Sequence, residues 1–363
     1  MKFYTTPASR NNMMYRELYQ QINLPIFQNR LYSCAKAAKN SPTGNIYLVQ
    51  DTETGLIHNK AFDPNLLDYD RSYNNDQSYS PLFKKHMVEV ADLIEDLIGT
   101  KKLIEIGCGK GQFLELLLSR GSEIVGFDPT YEGHNNLIRR EYFDSRASLK
   151  GIGVILRHVL EHIQEPINFL HEIAKANAGK GLIYIEVPCF DWICKNKAWF
   201  DIFYEHVNYF RLSDFSRIFK NIVHSSRTFG GQYLSIIADL SSLKRPKHNN
   251  EERIVFPSDF LSSLTPKNFS RNNKKTVVWG GASKGVIFSL LAERAGMKVD
   301  RVIDICPDKQ GLFLPGTGLR IMSPKEGLNN LPQESQIYVM NPNYLEEVRA
   351  MVGPDYKCNS ISV

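Results

Sequence analysis

Short apolar runs alternate with segments of helical spacing through the middle of this chain. Leu103-Ile104-Glu105-Ile106 predicts a buried strand, Gln112 to Ser119 a helix, and Ile124-Val125-Gly126-Phe127 a second strand. Val154-Ile155-Leu156 and Leu182 to Pro188 predict two more strands, with a helix between them at Ile167 to Ala176 that bears Phe169, Leu170 and Ile173. A late strand is expected at Gln232 to Asp239. Upstream, Lys84 to Ile98 puts Met87, Val90, Leu93, Ile94 and Leu97 on one helical face. Such alternation predicts a doubly wound parallel sheet. The theme returns near the end, with strands at Thr276 to Trp279, Arg301 to Asp304 and Gln336 to Met340, and a helix at Val286 to Ala295. Residues 241–275, rich in Ser, Lys, Asn and Pro, mark a boundary. At the start, Asn45 to Gln50 and Leu56 to Asn59 predict two short strands around a turn at Asp51 to Gly55, and Asp68 to Ser80 is polar and tyrosine-rich. The expected division is a small mixed unit at 1–80, a doubly wound unit at 81–240 and a smaller βαβ unit at 241–363.

The turn between the first two middle strands is Gly107-Cys108-Gly109-Lys110-Gly111, and the second strand ends at Asp128. A dinucleotide site wants G-x-G-x-x-G, with a pyrophosphate on the helix N-terminus. Here the spacing is G-x-G-x-G, and Gln112 stands where the third glycine of that pattern would fall. The shorter form resembles motif I of the class I methyltransferases, which bind S-adenosylmethionine. That resemblance implies cofactor contacts from Glu105, Gly107, Gly109 and Gly111, with Asp128 accepting from the ribose hydroxyls.

Composition narrows the picture. The chain has 363 residues, more than one ordinary core, and its 42% hydrophobic and 23% charged content is that of a soluble globular protein. No run of roughly 18 apolar residues occurs, which excludes a transmembrane span of that kind. The net charge of +5 is mild, and basic residues are scattered apart from Lys244 to His248, which reads as a solvated linker rather than a nucleic-acid groove. The polar start, Met1 to Thr5, lacks the apolar region of an export signal, so a cytoplasmic location is expected. The six cysteines are far apart with no C-x-x-C, which supports neither a zinc site nor a disulfide framework.

Three clusters carry candidate chemistry. Arg157-His158-Val159-Leu160-Glu161-His162 follows the strand at 154–156, and ligands of open α/β sheets sit at the carboxyl ends of strands. Arg157 and His158 are therefore placed at the cofactor, while Glu161 and His162 read as supports of the following helix. The second cluster is Tyr204-Glu205-His206, in a loop beyond the sheet's working edge. A histidine there can exchange a proton near neutral pH, and a carboxylate neighbour raises its basicity. The third is Gly280 to Gly285 with Asp304, a second cradle-like turn where Lys284 could meet a phosphate.

Taken in order, Ile104 to Gly111, Gly126-Phe127-Asp128-Pro129, Arg157 to His162, Glu205-His206-x-x-Tyr209-Phe210, Ser283-Lys284-Gly285, Asp304-x-x-Pro307-x-Lys309-Gln310-Gly311 and Pro315-Gly316-Thr317 resemble the bacterial S-adenosylmethionine-dependent C-methyltransferases, several of which act on nucleotide-linked deoxysugars. The resemblance implies a class I methyltransferase Rossmann-like sheet, a second smaller Rossmann-like C-terminal domain, and a small N-terminal domain. In the family that last domain binds zinc through cysteine pairs, whereas Asp51 and Thr54 stand where a C-x-x-C would fall here, so the metal is expected to be lost. A family tyrosine three positions before the histidine is Phe203 in this chain. The implied reaction is C-methylation of a small molecule, a keto-sugar nucleotide or related ketone. His206 is the expected base, Glu205 its orienting partner, Tyr204 the group stabilising the enolate, and His158 a further candidate. Tyr69, Tyr73 and Tyr79 are candidates to close over the site. O- or N-methylation of another metabolite is the alternative.

Overall fold

The computed structural model describes residues 14–67, 79–143, 150–264 and 275–360. Three sheets organise them. The first is antiparallel: β1 (Tyr15–Pro25), β2 (Thr43–Asp51) and β3 (Ile57–Asn59), with α1 (Ala35–Lys39) between β1 and β2, and a fourth strand, Asn208–Tyr209, borrowed from the middle of the chain. Where the family would hold zinc, the Asp51 side chain organises the turn. Its Oδ1 accepts from the backbone N–H of Glu53 (2.9 Å) and Thr54 (2.7 Å) and from the Thr54 hydroxyl (2.9 Å), a local hydrogen-bonded knuckle of the kind Asp favours. The sheet does not enclose a core alone. Leu24, Ile26, Phe27, Ile46, Leu48 and Ile57 join one apolar cluster with Trp199, Phe200 and Tyr204 and with Val278 and Phe288 of the last unit. So small a sheet needs such a neighbour to bury enough surface.

The second sheet is entered through α2 (Pro81–Leu97). Ser80 caps this helix by accepting from the Phe83 N–H at 3.2 Å, and Pro81 occupies its first position. Its buried stripe is Phe83, His86, Met87, Val90, Ala91 and Ile94. The predicted face is thus rotated slightly, and Leu97 is left exposed. Then come β4 (Leu103–Ile106), α3 (Gln112–Ser119), β5 (Ile124–Phe127), β6 (Ile138–Arg139), β7 (Gly153–Arg157), α4 (Pro166–Ala176), β8 (Leu182–Pro188), α5 (Phe190–Lys195), β9 (Asn208–Tyr209), α6 (Leu212–Ile218), β10 (Ile222–Thr228) and β11 (Tyr233–Asp239). The seven-stranded order is β10-β11-β8-β7-β4-β5-β6. It is parallel from β6 to β8, and β11 runs antiparallel to both neighbours. The strand order reverses between β4 and β7, so the ligand crevice of this sheet lies beyond Ile106 and Arg157.

The last sheet is all parallel, ordered β14-β13-β12-β15-β16, from β12 (Thr276–Trp279), β13 (Arg301–Ile303), β14 (Ile321–Met322), β15 (Gln336–Val339) and β16 (Lys357–Ser360). Helices α7 (Lys284–Arg294), α8 (Pro324–Leu328) and α9 (Leu345–Val352) cover it. Helix α7 is buried almost throughout, from Gly285 to Ala292, because it is packed between its own sheet and the Trp199-Phe200 segment. Its reversal point lies between β12 and β15, beyond Trp279 and Val339. No helix among the described residues is long and apolar enough to cross a membrane.

Candidate active site

Beyond β4 the chain turns through Gly107, Gly109 and Gly111 at φ of 72°, 54° and 80°, where a side chain is strained. A Cβ on Gly107 would lie 2.4 Å from Val159 Cγ2, and one on Gly111 2.6 Å from Ile138 Cδ1, whereas Gly109 has nothing within 4 Å. The middle glycine is therefore the open side of the turn. Asp128 braces it from β5. Oδ2 accepts from the Gly109 N–H at 2.7 Å, and Oδ1 accepts from the Thr130 N–H at 2.8 Å and hydroxyl at 2.7 Å. A carboxylate has about four acceptor positions, so most of this one is spent shaping the turn rather than waiting for two ribose hydroxyls. Beneath it Glu105 is 2% exposed with Oε2 lacking any hydrogen bond. Burial, partly offset by Arg157 and reinforced by Asp128, pushes its carboxyl up to about 7. A glycine cradle open at Gly109 beside an orphaned buried carboxyl oxygen fits a ligand that brings hydrogen-bond donors.

The ends of β7 and β8 hold a dense ionic cluster. Glu186, fully buried, receives Arg157 Nη2 at 3.0 Å, His86 Nε2 at 2.9 Å and the Tyr184 hydroxyl at 3.0 Å. Burial favours its neutral form, but Arg157, His158 and His86 outweigh burial and hold the carboxyl well below the usual range. Arg157, expected at the cofactor, is instead committed to Glu186 and lies 4.3 Å over the Phe113 ring. His158 adopts a left-handed backbone (φ 54°) and donates its N–H to the Glu186 carbonyl at 2.8 Å. Its Nδ1 is 3.4 Å from Glu161 Oε1 and its Nε2 3.2 Å from Glu186 Oε1. Burial would lower its pKa, but the two carboxylates prevail and raise it to about 9. His158 is a cation at neutral pH.

The bend after Ile202 sends successive side chains to different sides. Phe203 and His206 face a cavity. Tyr204 is fully buried under the first sheet, its hydroxyl accepting from the Asp63 N–H at 2.8 Å. Glu205, 1% exposed, accepts from the Gln28 N–H at 2.8 Å. In this structure the Tyr204 hydroxyl and Glu205 Oε2 are thus engaged away from the cavity. The Glu205 backbone carbonyl accepts from His162 Nδ1 at 2.9 Å. The His162 and His206 rings stand edge to face at 5.0 Å. Burial, with His162, His158 and Lys284 adding to it, holds His206 well below the ordinary histidine value. His206 is therefore neutral. The Tyr209 hydroxyl pins the Phe203 backbone, accepting from its N–H and donating to its carbonyl, both at 3.0 Å.

The cavity lies between the carboxyl edges of the second and third sheets. His158, Glu161, His162, Phe203, His206 and Tyr233 line one side, and Trp279, Gly280, Ser283, Lys309 and Asn341 the other. Lys284 spans it. Its Nζ pairs with Asp201 Oδ2 at 2.7 Å and donates to Gln232 Oε1 at 3.1 Å, so it joins two domains rather than awaiting a phosphate. Glu161 and His162 line the cavity and were legible only as helix supports. The 3-10 turn at Leu160–His162 swings them inward. Tyr79 sits at the rim, while Tyr69 and Tyr73 lie outside the described residues. Residues Glu161, His162 and His206 bring possible metal-ligand atoms within 4.8 Å of one another.

Residues 82–222 match a methyltransferase domain model, and residues 255–353 match a C-methyltransferase C-terminal domain model. The chain belongs to the class I methyltransferases and, by its last domain, to their C-methyltransferase branch. It is 24% identical to C-methyltransferase NovU of Streptomyces niveus over 294 residues, 68% of this chain and 69% of that one. Among solved structures it is similar to the Burkholderia thailandensis 1,6-didemethyltoxoflavin-N1-methyltransferase, which was solved with S-adenosylhomocysteine (13% identity, 51% of this chain, 95% of that chain, TM-score 0.34). It is also similar to the plantazolicin methyltransferase BpumL (13% identity, 45% and 86% covered, TM-score 0.35). The methyltransferase is S-adenosylmethionine-dependent.

Proposed function

We propose that this methyltransferase acts on the carbon beside a carbonyl, in a keto-sugar nucleotide or related ketone. The observation that carries the reading is a pair of histidines lining one cavity in contrasting surroundings: Glu161 and Glu186 lie against His158 and raise its pKa, while burial beside His162 and Lys284 lowers that of His206. Neighbouring groups whose pKa values are pushed apart take the base and acid roles. Neutral His206 removes the proton next to the carbonyl. The C–H electron pair moves into an enolate, and the proton stays on the imidazole. His158, held charged by Glu161 and Glu186, stabilises the negative charge that develops on the enolate oxygen. That is the role first expected of Tyr204. When bound, S-adenosylmethionine would supply an electrophilic methyl group: its S–CH3 bond would break as the enolate carbon bonds the methyl, and the bonding pair would leave with sulfur as neutral S-adenosylhomocysteine. Gly107, Gly109, Gly111, Asp128 and Glu105 hold the cofactor, and Arg157 fixes the adjoining cluster. The nucleotide end of the substrate lies toward Trp279, Ser283 and Lys309 across the cavity.

The test is incubation with S-adenosylmethionine and a panel of nucleoside-diphosphate keto sugars, read by mass, alongside exchange of the substrate's α-hydrogen in deuterated water. A methylated product together with exchange that needs His206 supports the reading. Methylation without any exchange assigns the chain to O- or N-transfer instead.

A further inference from the structure

Glu161 is 1% exposed and lines the cavity; its Oε1 is paired with His158 Nδ1 at 3.4 Å, and its Oε2 has no hydrogen-bond donor. Leaving buried acceptors without donors is costly, and folded proteins seldom tolerate it without a purpose. Two kinds of ligand could satisfy it, a cation or a neutral donor. The local charges decide between them. Arg157 and His158 supply two positive charges and Glu186 and Glu161 two negative ones, while His206 and His162 are pushed toward neutrality by burial. The cluster is already balanced, so Glu161 Oε2 lacks a donor and not a counter-charge.

We infer that Glu161 receives a substrate hydroxyl, so that the preferred substrate is a hydroxy ketone with its hydroxyl beside the reacting region and not a plain ketone. The inference rests on the ketone reading above and adds the group that selects among ketones. A pocket built to accept from a hydroxyl discriminates strongly against the analogue lacking it, because the buried acceptor is then left bare.

Two experiments test it. In the first, binding of thymidine-diphosphate 4-keto-6-deoxyglucose and of its 3-deoxy analogue is measured by calorimetry with S-adenosylhomocysteine present. Wild type is expected to prefer the hydroxylated ligand by at least roughly tenfold, and Glu161→Ala to erase that preference. Equal binding of both ligands by wild type, or a preference that survives in Glu161→Ala, overturns the inference. So does stoichiometric binding of zinc or manganese that is lost in both Glu161→Ala and His162→Ala, which would make the cluster a metal site. In the second, Glu161→Gln is melted without ligand at about pH 10, where His158 has lost its proton and its pair with Glu161 no longer contributes. A carboxylate held for substrate predicts an unchanged or raised melting temperature there. A fall of several degrees makes Glu161 part of the folded frame and overturns the inference. Should neither sugar bind wild type, the sugar reading fails while the melt still decides the role of Glu161.

Discussion

The second and third domains build the same turn twice and use it differently. In both, an aspartate at the end of the neighbouring strand accepts from a glycine N–H with Oδ2: Gly109 to Asp128 at 2.7 Å, and Gly281 to Asp304 at 2.7 Å. In both, Oδ1 accepts from the N–H two residues further on: Thr130 at 2.8 Å and Cys306 at 2.9 Å. The first turn is left open at Gly109. The second is closed by the chain itself. Ser283, held at φ 34°, donates its hydroxyl to Asn29 at 2.7 Å and its N–H to the Gln28 carbonyl at 3.2 Å. A Cβ on Gly285 would sit 1.8 Å from the Gly280 carbonyl oxygen, and Lys284 is tied to Asp201. One backbone device is thus left open in one domain, where we propose that it holds the cofactor, and is closed by domain docking in the other. The glycine pattern reports the turn, and only its neighbours report the use.

The sharpest test lies between the two turns. His206→Ala is expected to fold, retain S-adenosylhomocysteine affinity and lose methyl transfer by about 10²–10⁴-fold. The wild-type rate should have its acid limb well below the ordinary histidine value and fall again near pH 9 as His158 loses its proton. Transfer by the variant at nearly the wild-type rate would make His206 structural.

The docking role of the second turn comes next. Lys284→Met leaves Asp201, 8% exposed, with an unpaired charge, and should cost about 3 kcal/mol in urea unfolding. Adding Asp201→Asn should recover much of that loss. A variant as stable as wild type would separate the turn from docking.

Exchanging the two aspartates compares the turns directly. Asp128→Ala should weaken S-adenosylmethionine binding at least roughly tenfold by calorimetry, since it removes charged hydrogen bonds that shape the turn. Asp304→Ala should leave that affinity alone and lower the melting temperature. If both variants bind the cofactor equally well, the assignment of the first turn is wrong.

The His158 cluster makes stability depend on pH. Its folded pKa of about 9 lies above the ordinary 6.5, so its contribution is complete below pH 6.5 and is lost as pH rises through 9. Melting temperatures between pH 6.5 and 9.5 should decline, and His158→Gln should flatten that decline. The smallest effect is expected at the first sheet, where Asp51→Ala removes the bonds to Glu53 and Thr54 and should cost about 1 kcal/mol. Zinc found by elemental analysis of the isolated protein and retained in Glu161→Ala would show that this knuckle does not stand in for a metal.

The sequence alone determined the elements whose signal is local. Leu103 to Ile106, Ile124 to Phe127 and Leu182 to Pro188 are apolar runs because these strands are covered on both faces, and they form where expected. The glycines of the first turn were legible because only glycine suits its positive φ values. Edge strands were not legible. Tyr15–Pro25 is half exposed and irregular in register, and Ile222–Thr228 alternates between half-buried and exposed residues, so neither carries an apolar run. The candidate site divided in the same way. Its residue types could be read from Arg157 to His162 and from Tyr204 to His206, but not which side chains face the cavity. That depended on a 3-10 turn and a bend, which brought Glu161 and His162 in and turned Tyr204 and Glu205 away. Charge state also waited for the tertiary structure. A histidine's pKa is set by burial and by carboxylates from distant segments, and only folding brings Glu186 to His158 and leaves His206 with no carboxylate among the groups that shift it.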